Sequence, residues 1–208
     1  MPRSESPLAP LLGALHDLVR WMEATATPYI VAGGVAASVL GRPRTTQDID
    51  VLGQVADEKD WPAFVESAAP FGIVPRIGDC LDFARESRVL LLVHTATGIA
   101  IDFVLAGLPY EFSIVAQAQD RNAGPVRARF PRVEDLIVMK LLARRPRDMG
   151  DLEGLIQATD QLDWVYIRDW VRQFAEALDA SDLIPALDRL ERSARQGGAG
   201  APLDSEEM

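Results

Sequence analysis

The chain reads as a mixed α/β half followed by a helical half. Three observations predict this. Apolar runs of strand length, at residues 29–32, 48–52, 89–94 and 99–105, are interleaved with helical spacing in the first 124 residues. Beyond residue 131 the apolar period is helical throughout. No repeat at intervals of 20 to 50 residues suggests a solenoid or propeller.

Each element has a local reason. Leu8, Leu11, Leu12, Leu15, Leu18, Val19 and Met22 fall on one helical face, predicting a helix over 7–24. Pro28 opens the run Tyr29-Ile30-Val31-Ala32, a buried strand that Gly33-Gly34 ends. Val35 to Leu40 suits a short helix closed by Gly41. Residues 48–52 alternate charged and apolar side chains, as a half-buried strand does. Residues 57–69 predict a helix with Trp61, Phe64 and Val65 inward. The runs 89–94 and 99–105, split by Ala96-Thr97-Gly98, predict a hairpin. Four helices then follow: one carrying Val133, Leu136, Ile137, Lys140 and Leu141, one from about Arg147, one over 163–178 and one over 181–194. The expected organisation is a core over residues 1–130 with its amino-terminal helix, a helical region over 131–195 completing a cleft, and a disordered acidic tail over 196–208. A soft boundary is expected near 124–131.

The charge balance narrows the function classes. Twenty-one basic residues against 31 acidic ones give −10, which argues against indiscriminate coating of nucleic acid. The single cysteine, Cys80, has no internal partner and suits a reducing compartment. No apolar run reaches membrane-spanning length and no signal-peptide core is visible, so a cytoplasmic protein without a membrane partner is expected. Only Lys59 and Lys140 among the basic residues are lysines.

The chemistry concentrates between Gly33 and Asp102. Asp48 and Asp50, two apart in a strand, leave the same face. Keeping both ionised needs a cation between them, and hard oxygen ligands select Mg²⁺ or Mn²⁺. Asp102 sits inside an apolar strand, where an acid is costly unless it serves a site. If that strand lies beside the first, three carboxylates converge as a two-metal phosphoryl-transfer site requires. Gly33-Gly34, a strand end feeding a helix, lets backbone N–H groups approach a phosphate. Singly, each element has a plainer reading: a solvated strand face, a buried hydrogen bond, a tight turn. The contiguous unit from Gly33 to Asp50 is far more specific than its parts.

Ile30-Val31-Ala32-Gly33-Gly34 followed by Arg44-Thr45-Thr46-Gln47-Asp48-Ile49-Asp50 resembles the signature of the DNA polymerase β-like nucleotidyltransferase superfamily. Within it the sequence is most similar to the AbiEii-type, abortive-infection toxin-like nucleotidyltransferases. Those also carry a later helix resembling Glu134-Asp135-Leu136 through Lys140 to Arg147-Asp148 and Asp151. The resemblance implies a nucleotidyltransferase fold, a small mixed sheet flanked by helices with a helical region after it. It implies that Gly33 and Gly34 cradle a nucleoside triphosphate such as ATP, with Arg44 and Thr46 nearby. Asp48 and Asp50 would bind the metals, and Asp102 would complete the metal site and help deprotonate an acceptor hydroxyl. Lys140 would reach the triphosphate, and Asp151 or Asp148 would orient it or the acceptor. Gly34 stands where many relatives have serine.

Lysine at 140, in a chain that otherwise uses arginine, suits a compact charge against phosphate; a snorkelling surface lysine is the alternative. Between Arg121 and Arg147, seven arginines and Lys140 oppose only Glu134 and Asp135. That asymmetry suits a polyanion, or equally a set of ion pairs. His94 reads as a satisfied core or pocket-edge histidine, Trp164 and Trp170 as packing residues, and Cys80 as inert. Three readings follow. One is a transferase that adds nucleotides to RNA such as tRNA or to a protein side chain, as a toxin with a cognate antitoxin. The others are a small-molecule, antibiotic-modifying nucleotidyltransferase and a non-catalytic nucleotide-binding module.

Overall fold

The computed structural model describes residues 8–197. The chain forms two compact units that meet in sequence between Arg132 and Val133. The acidic tail expected to be disordered lies outside the described residues, apart from its first two positions, which close the last helix.

In the first unit a 3₁₀ turn leads into α1 (Leu12–Ala24), then β1 (Tyr29–Val31), α2 (Gly33–Leu40) and β2 (Asp48–Gly53). Next come α3 (Trp61–Glu66), β3 (Ile73–Pro75), α4 (Cys80–Ser87), β4 (Val89–His94), β5 (Ile99–Leu105) and α5 (Pro109–Ala116). A separate hairpin, β6 (Gln119–Ala123) and β7 (Val126–Phe130), completes the unit. The main sheet has the order β1-β2-β5-β4-β3. Only β2 and β5 are parallel, so the sheet is mixed.

Alternation along the central strands divides the sheet into two faces. Ile49, Val51, Ile101, Phe103, Leu90 and Leu92 are all buried on one of them. Trp21 of α1 stacks on Phe64 of α3 with ring centroids 4.5 Å apart, and Phe103 lies 5.2 Å from Phe64. Each such burial contributes about 1.5–3 kcal/mol. The indole N–H of Trp21 donates to Ser67 Oγ at 2.9 Å, so the polar edge of the ring is satisfied within this core. On the opposite face the same strands present Asp48, Asp50, Asp102 and Leu91, all only half-buried.

Several expectations need correction. The helix expected over 57–69 is broken into a 3₁₀ turn, α3 and another 3₁₀ turn. Pro62 and Pro70 each begin a new helical segment because proline lacks the N–H that would continue the previous one. Trp61 is only half-buried. Helix α2 starts at Gly33, so both glycines belong to its first turn. The stretch 124–131 holds the turn of the β6–β7 hairpin, with φ +60 at Gly124, and strand β7.

The second unit contains α6 (Val133–Ala143), α7 (Pro146–Gln157), α8 (Trp164–Ala177) and α9 (Leu183–Gly197). Helix α6 packs against the other three, which is why Leu136, Ile137, Val138 and Leu141 are all buried. Asp163 begins α8 by accepting the backbone N–H of Tyr166 at 2.9 Å. Among the described residues no helix is long and apolar enough to cross a membrane.

Candidate active site

The site grows from the middle of the sheet. Asp50 on β2 and Asp102 on β5 are direct partners in the parallel ladder, and Asp48 pairs with Ala100 one step along the same face. Directly opposed residues point to the same side. All three carboxylates therefore stand on the polar face, as the strand pattern suggested they would if β5 lay beside β2.

The backbone turn before α2 closes on this acidic face. Gly33 has φ +56, and a Cβ built on it would overlap Oδ2 and Cγ of Asp50. Glycine is therefore required twice over, for its left-handed backbone and for the close approach of the carboxylate. A Cβ on Gly34 would overlap Thr46 Oγ1 and come within 3.0 Å of Arg44 Nη2. The Thr46 hydroxyl in turn donates to Asp48 Oδ1 at 2.9 Å. Ala32 gives helix α2 no side-chain cap, and the positive end of the helix stands beside the Asp50 carboxylate. Gly33, Gly34, Arg44, Thr46, Asp48 and Asp50 are thus assembled into one structure.

Two residues that sequence reasoning overlooked complete it. Ser38, buried in α2, donates to the Arg44 carbonyl at 2.9 Å and accepts the Arg44 N–H at 3.3 Å. It pins the loop that carries Arg44 and Thr46. Arg76, just past β3, donates through Nη2 to Asp102 Oδ1 at 2.8 Å. Nothing in the sequence distinguishes Arg76 from the other arginines, because the contact spans two strand spacings and exists only in the assembled sheet.

The oxygen donors suit Mg²⁺ or Mn²⁺ in kind, and the strand register sets them side by side. They are not gathered around a point. Among the described residues no group of three or more acidic, histidine or cysteine side chains could hold a metal ion. Asp102 carries a cation of its own, the guanidinium of Arg76.

Lys140 and Asp151 form a cluster within the helical unit. Lys140 is 5% exposed, and its Nζ donates to Asp148 Oδ1 at 3.0 Å and Asp151 Oδ2 at 2.6 Å. It does not snorkel to the surface. Asp148 also accepts the Arg145 N–H at 3.0 Å, so it caps the start of α7 as well. The arginine-rich stretch is divided in sequence between the hairpin of the first unit and the helices of the second. Arg127 pairs with Asp120 at 2.9 Å, and Arg144 pairs with Asp182. His94 is buried, with Thr97 on Nδ1 and Asp17 on Nε2. Burial pushes the Cys80 thiol up, disfavouring the reactive thiolate.

No family model matches the chain, and no curated protein matches it. Among solved structures it is similar to an antigenic nucleotidyltransferase-like protein from Paracoccidioides brasiliensis, with a TM-score of 0.50 and 15% identity over 86% of this chain and 93% of that one. It is more loosely similar to ANT(2")-Ia in complex with adenylyl-2"-tobramycin, with a TM-score of 0.45 and 17% identity over 88% of this chain and 95% of that one. A solution structure of the antibiotic-resistance factor ANT(2'')-Ia also has a TM-score of 0.45, at 16% identity over 89% of this chain and 93% of that one. The first likeness establishes the fold: a mixed sheet with helices, as in nucleotidyltransferase-like proteins.

Proposed function

We propose that the chain is a nucleotidyltransferase that moves a nucleoside monophosphate from a nucleoside triphosphate to an acceptor hydroxyl. The observation that carries this reading is the pairing of Asp50 with Asp102 in the parallel ladder, with Asp48 on the same face and the Gly33 turn packed on Asp50. Arg76 neutralises Asp102, and two further carboxylates, Asp48 and Asp50, crowded on the same face favour a cation between them.

In this reading Gly33 and Gly34 present backbone N–H groups to the triphosphate, and Arg44 adds a positive charge beside them. Asp48 and Asp50, with Asp102 completing the site, would hold Mg²⁺ or Mn²⁺, and Thr46 orients the Asp48 carboxylate. The cation supplies charge neutralisation on the phosphates and a lowered acceptor pKa. The acceptor oxygen forms a bond to the α-phosphorus, the bond from that phosphorus to the bridging oxygen breaks, and pyrophosphate leaves with its electron pair. Asp102 takes the acceptor's proton.

The finer reading rests on the sequence resemblance. The blocks from Ile30 to Asp50 and from Glu134 to Asp151 resemble AbiEii-type enzymes, so the acceptor is assigned to RNA such as tRNA or to a protein side chain, and the chain to a toxin held by a cognate antitoxin. Incubating the protein with each α-labelled nucleoside triphosphate, Mg²⁺ or Mn²⁺ and total RNA tests it directly. Label in RNA or in protein supports the reading. Label transferred only to an added aminoglycoside would move the assignment to a small-molecule enzyme. Nucleotide binding with no transfer to any acceptor would leave a binding module.

A further inference from the structure

One row of residues crosses the whole sheet. The Ala32 N–H donates to the Asp50 carbonyl, Asp50 pairs with Asp102, Asp102 pairs with Leu91, and the Leu91 carbonyl accepts the Arg76 N–H. Side chains opposed across neighbouring strands share a face, so Arg76, Leu91, Asp102 and Asp50 all point to the acidic side. Strands two apart lie about 10 Å from each other, a gap that only a long side chain bridges. Arg76 extends over Leu91 to meet Asp102 at 2.8 Å, while the two side chains remain 37% and 35% exposed. The row thus delivers one cation from the edge of the sheet to the outer member of the three carboxylates.

We propose that Arg76 is a resident counter-ion for Asp102 and that it competes with a divalent cation for that carboxylate. The inference rests on the metal-site reading of Asp48, Asp50 and Asp102. It accounts for why these carboxylates, correct in kind and in register, are not gathered into a set of three. An arginine that already neutralises Asp102 holds the acidic row together without a metal. A cation bound by all three carboxylates must draw Asp102 out of that pair. Arg76 is a positioning residue in this scheme, acting through Asp102.

Mn²⁺ binding, followed by electron paramagnetic resonance or water-proton relaxation on the full chain, tests this without relying on catalysis. Arg76→Gln should bind Mn²⁺ about two- to fivefold more tightly than the wild type, the range for loss of a half-exposed charged competitor. Arg76→Lys, which keeps the charge, should stay near the wild-type value. The gain should disappear when Asp102→Asn is already present, because the competition acts through that carboxylate. Unchanged or weaker binding in Arg76→Gln overturns the proposal. So does a gain that persists in the Asp102→Asn background, which would mark a general loss of positive charge. If neither the wild type nor Arg76→Gln binds Mn²⁺, the metal reading falls and the competition falls with it. Transfer of label from a nucleoside triphosphate with no Arg76→Gln effect on Mn²⁺ would leave the enzyme reading intact and remove only the counter-ion.

Discussion

Gly33 lies against the Asp50 carboxylate so closely that a Cβ at position 33 would overlap its Oδ2. The backbone there is also left-handed, with φ +56. Gly33→Ala should therefore lose about 1–3 kcal/mol of stability, from backbone strain and from displacement of the carboxylate. Nucleotidyl transfer should fall with it, because the displaced group is a proposed metal ligand. Gly34→Ala is a useful contrast. Its φ is not positive, and its Cβ meets Thr46. That variant should fold with a smaller penalty yet disturb the bond from Thr46 to Asp48. Denaturant unfolding of both variants checks the ordering, and a Gly33→Ala protein as stable as wild type would contradict it.

The three carboxylates on one face should trade stability for function. Asp50→Asn keeps the shape and hydrogen-bonding capacity but removes one of the crowded charges. Its unfolding free energy should stay within about 1 kcal/mol of wild type, while transfer falls at least about a hundredfold. Asp48→Asn should behave in the same way. A large loss of stability with activity retained would assign these residues to the framework instead.

The sheet's central pair was legible because β2 and β5 alternate polar and apolar residues with period two, and Asp102 is conspicuous among Ile101, Phe103 and Leu105. The glycine turn was legible as a spacing between Gly33 and Asp50. Strand β6, with the sequence Gln-Asp-Arg-Asn-Ala, was not, since four of its five residues are exposed and carry no apolar alternation. Its pairing comes from β7, whose Val126, Ala128 and Phe130 are buried. Helix α4 was hidden for a related reason: only Cys80 and Ala84 are buried, too few to mark a period. Arg76 and Ser38 were illegible because their partners, Asp102 and Arg44, are set by tertiary register and loop closure. Lys140 was noticed for its chemistry, but its two carboxylate partners lie eight and eleven residues on, across a helix junction.

Lys140 is enclosed by its own unit, and removing it should be felt there first. Lys140→Met leaves Asp148 and Asp151, both buried, without their shared cation. Stripping one partner from a buried ion pair costs about 3–5 kcal/mol. The variant should unfold at markedly lower denaturant, and adding Asp151→Asn should restore part of the loss. A Lys140→Met protein with wild-type stability and impaired nucleotide binding would show that the ammonium serves the substrate alone.

A second ion pair sets a dependence on pH. Burial pushes the Glu111 carboxyl up, but the Arg88 guanidinium and the N–H groups of Gly107 and Leu108 more than offset this and hold it below its usual 4.5. Arg88 reaches both carboxylate oxygens, at 2.6 and 3.2 Å, tying the end of α4 to the start of α5. A carboxylate whose folded pKa is depressed stabilises the native state fully above its unfolded value. That contribution is lost as pH falls below 4.5 and through the lower folded value. Since Arg88 is 40% exposed, solvent screening reduces the contribution to about 1 kcal/mol. Glu111→Gln should thus be less stable than wild type near neutrality and converge toward it below pH 4.5. Thermal unfolding of the two proteins between pH 3 and 7 measures the difference, and parallel curves across that range would rule out a linked proton at Glu111.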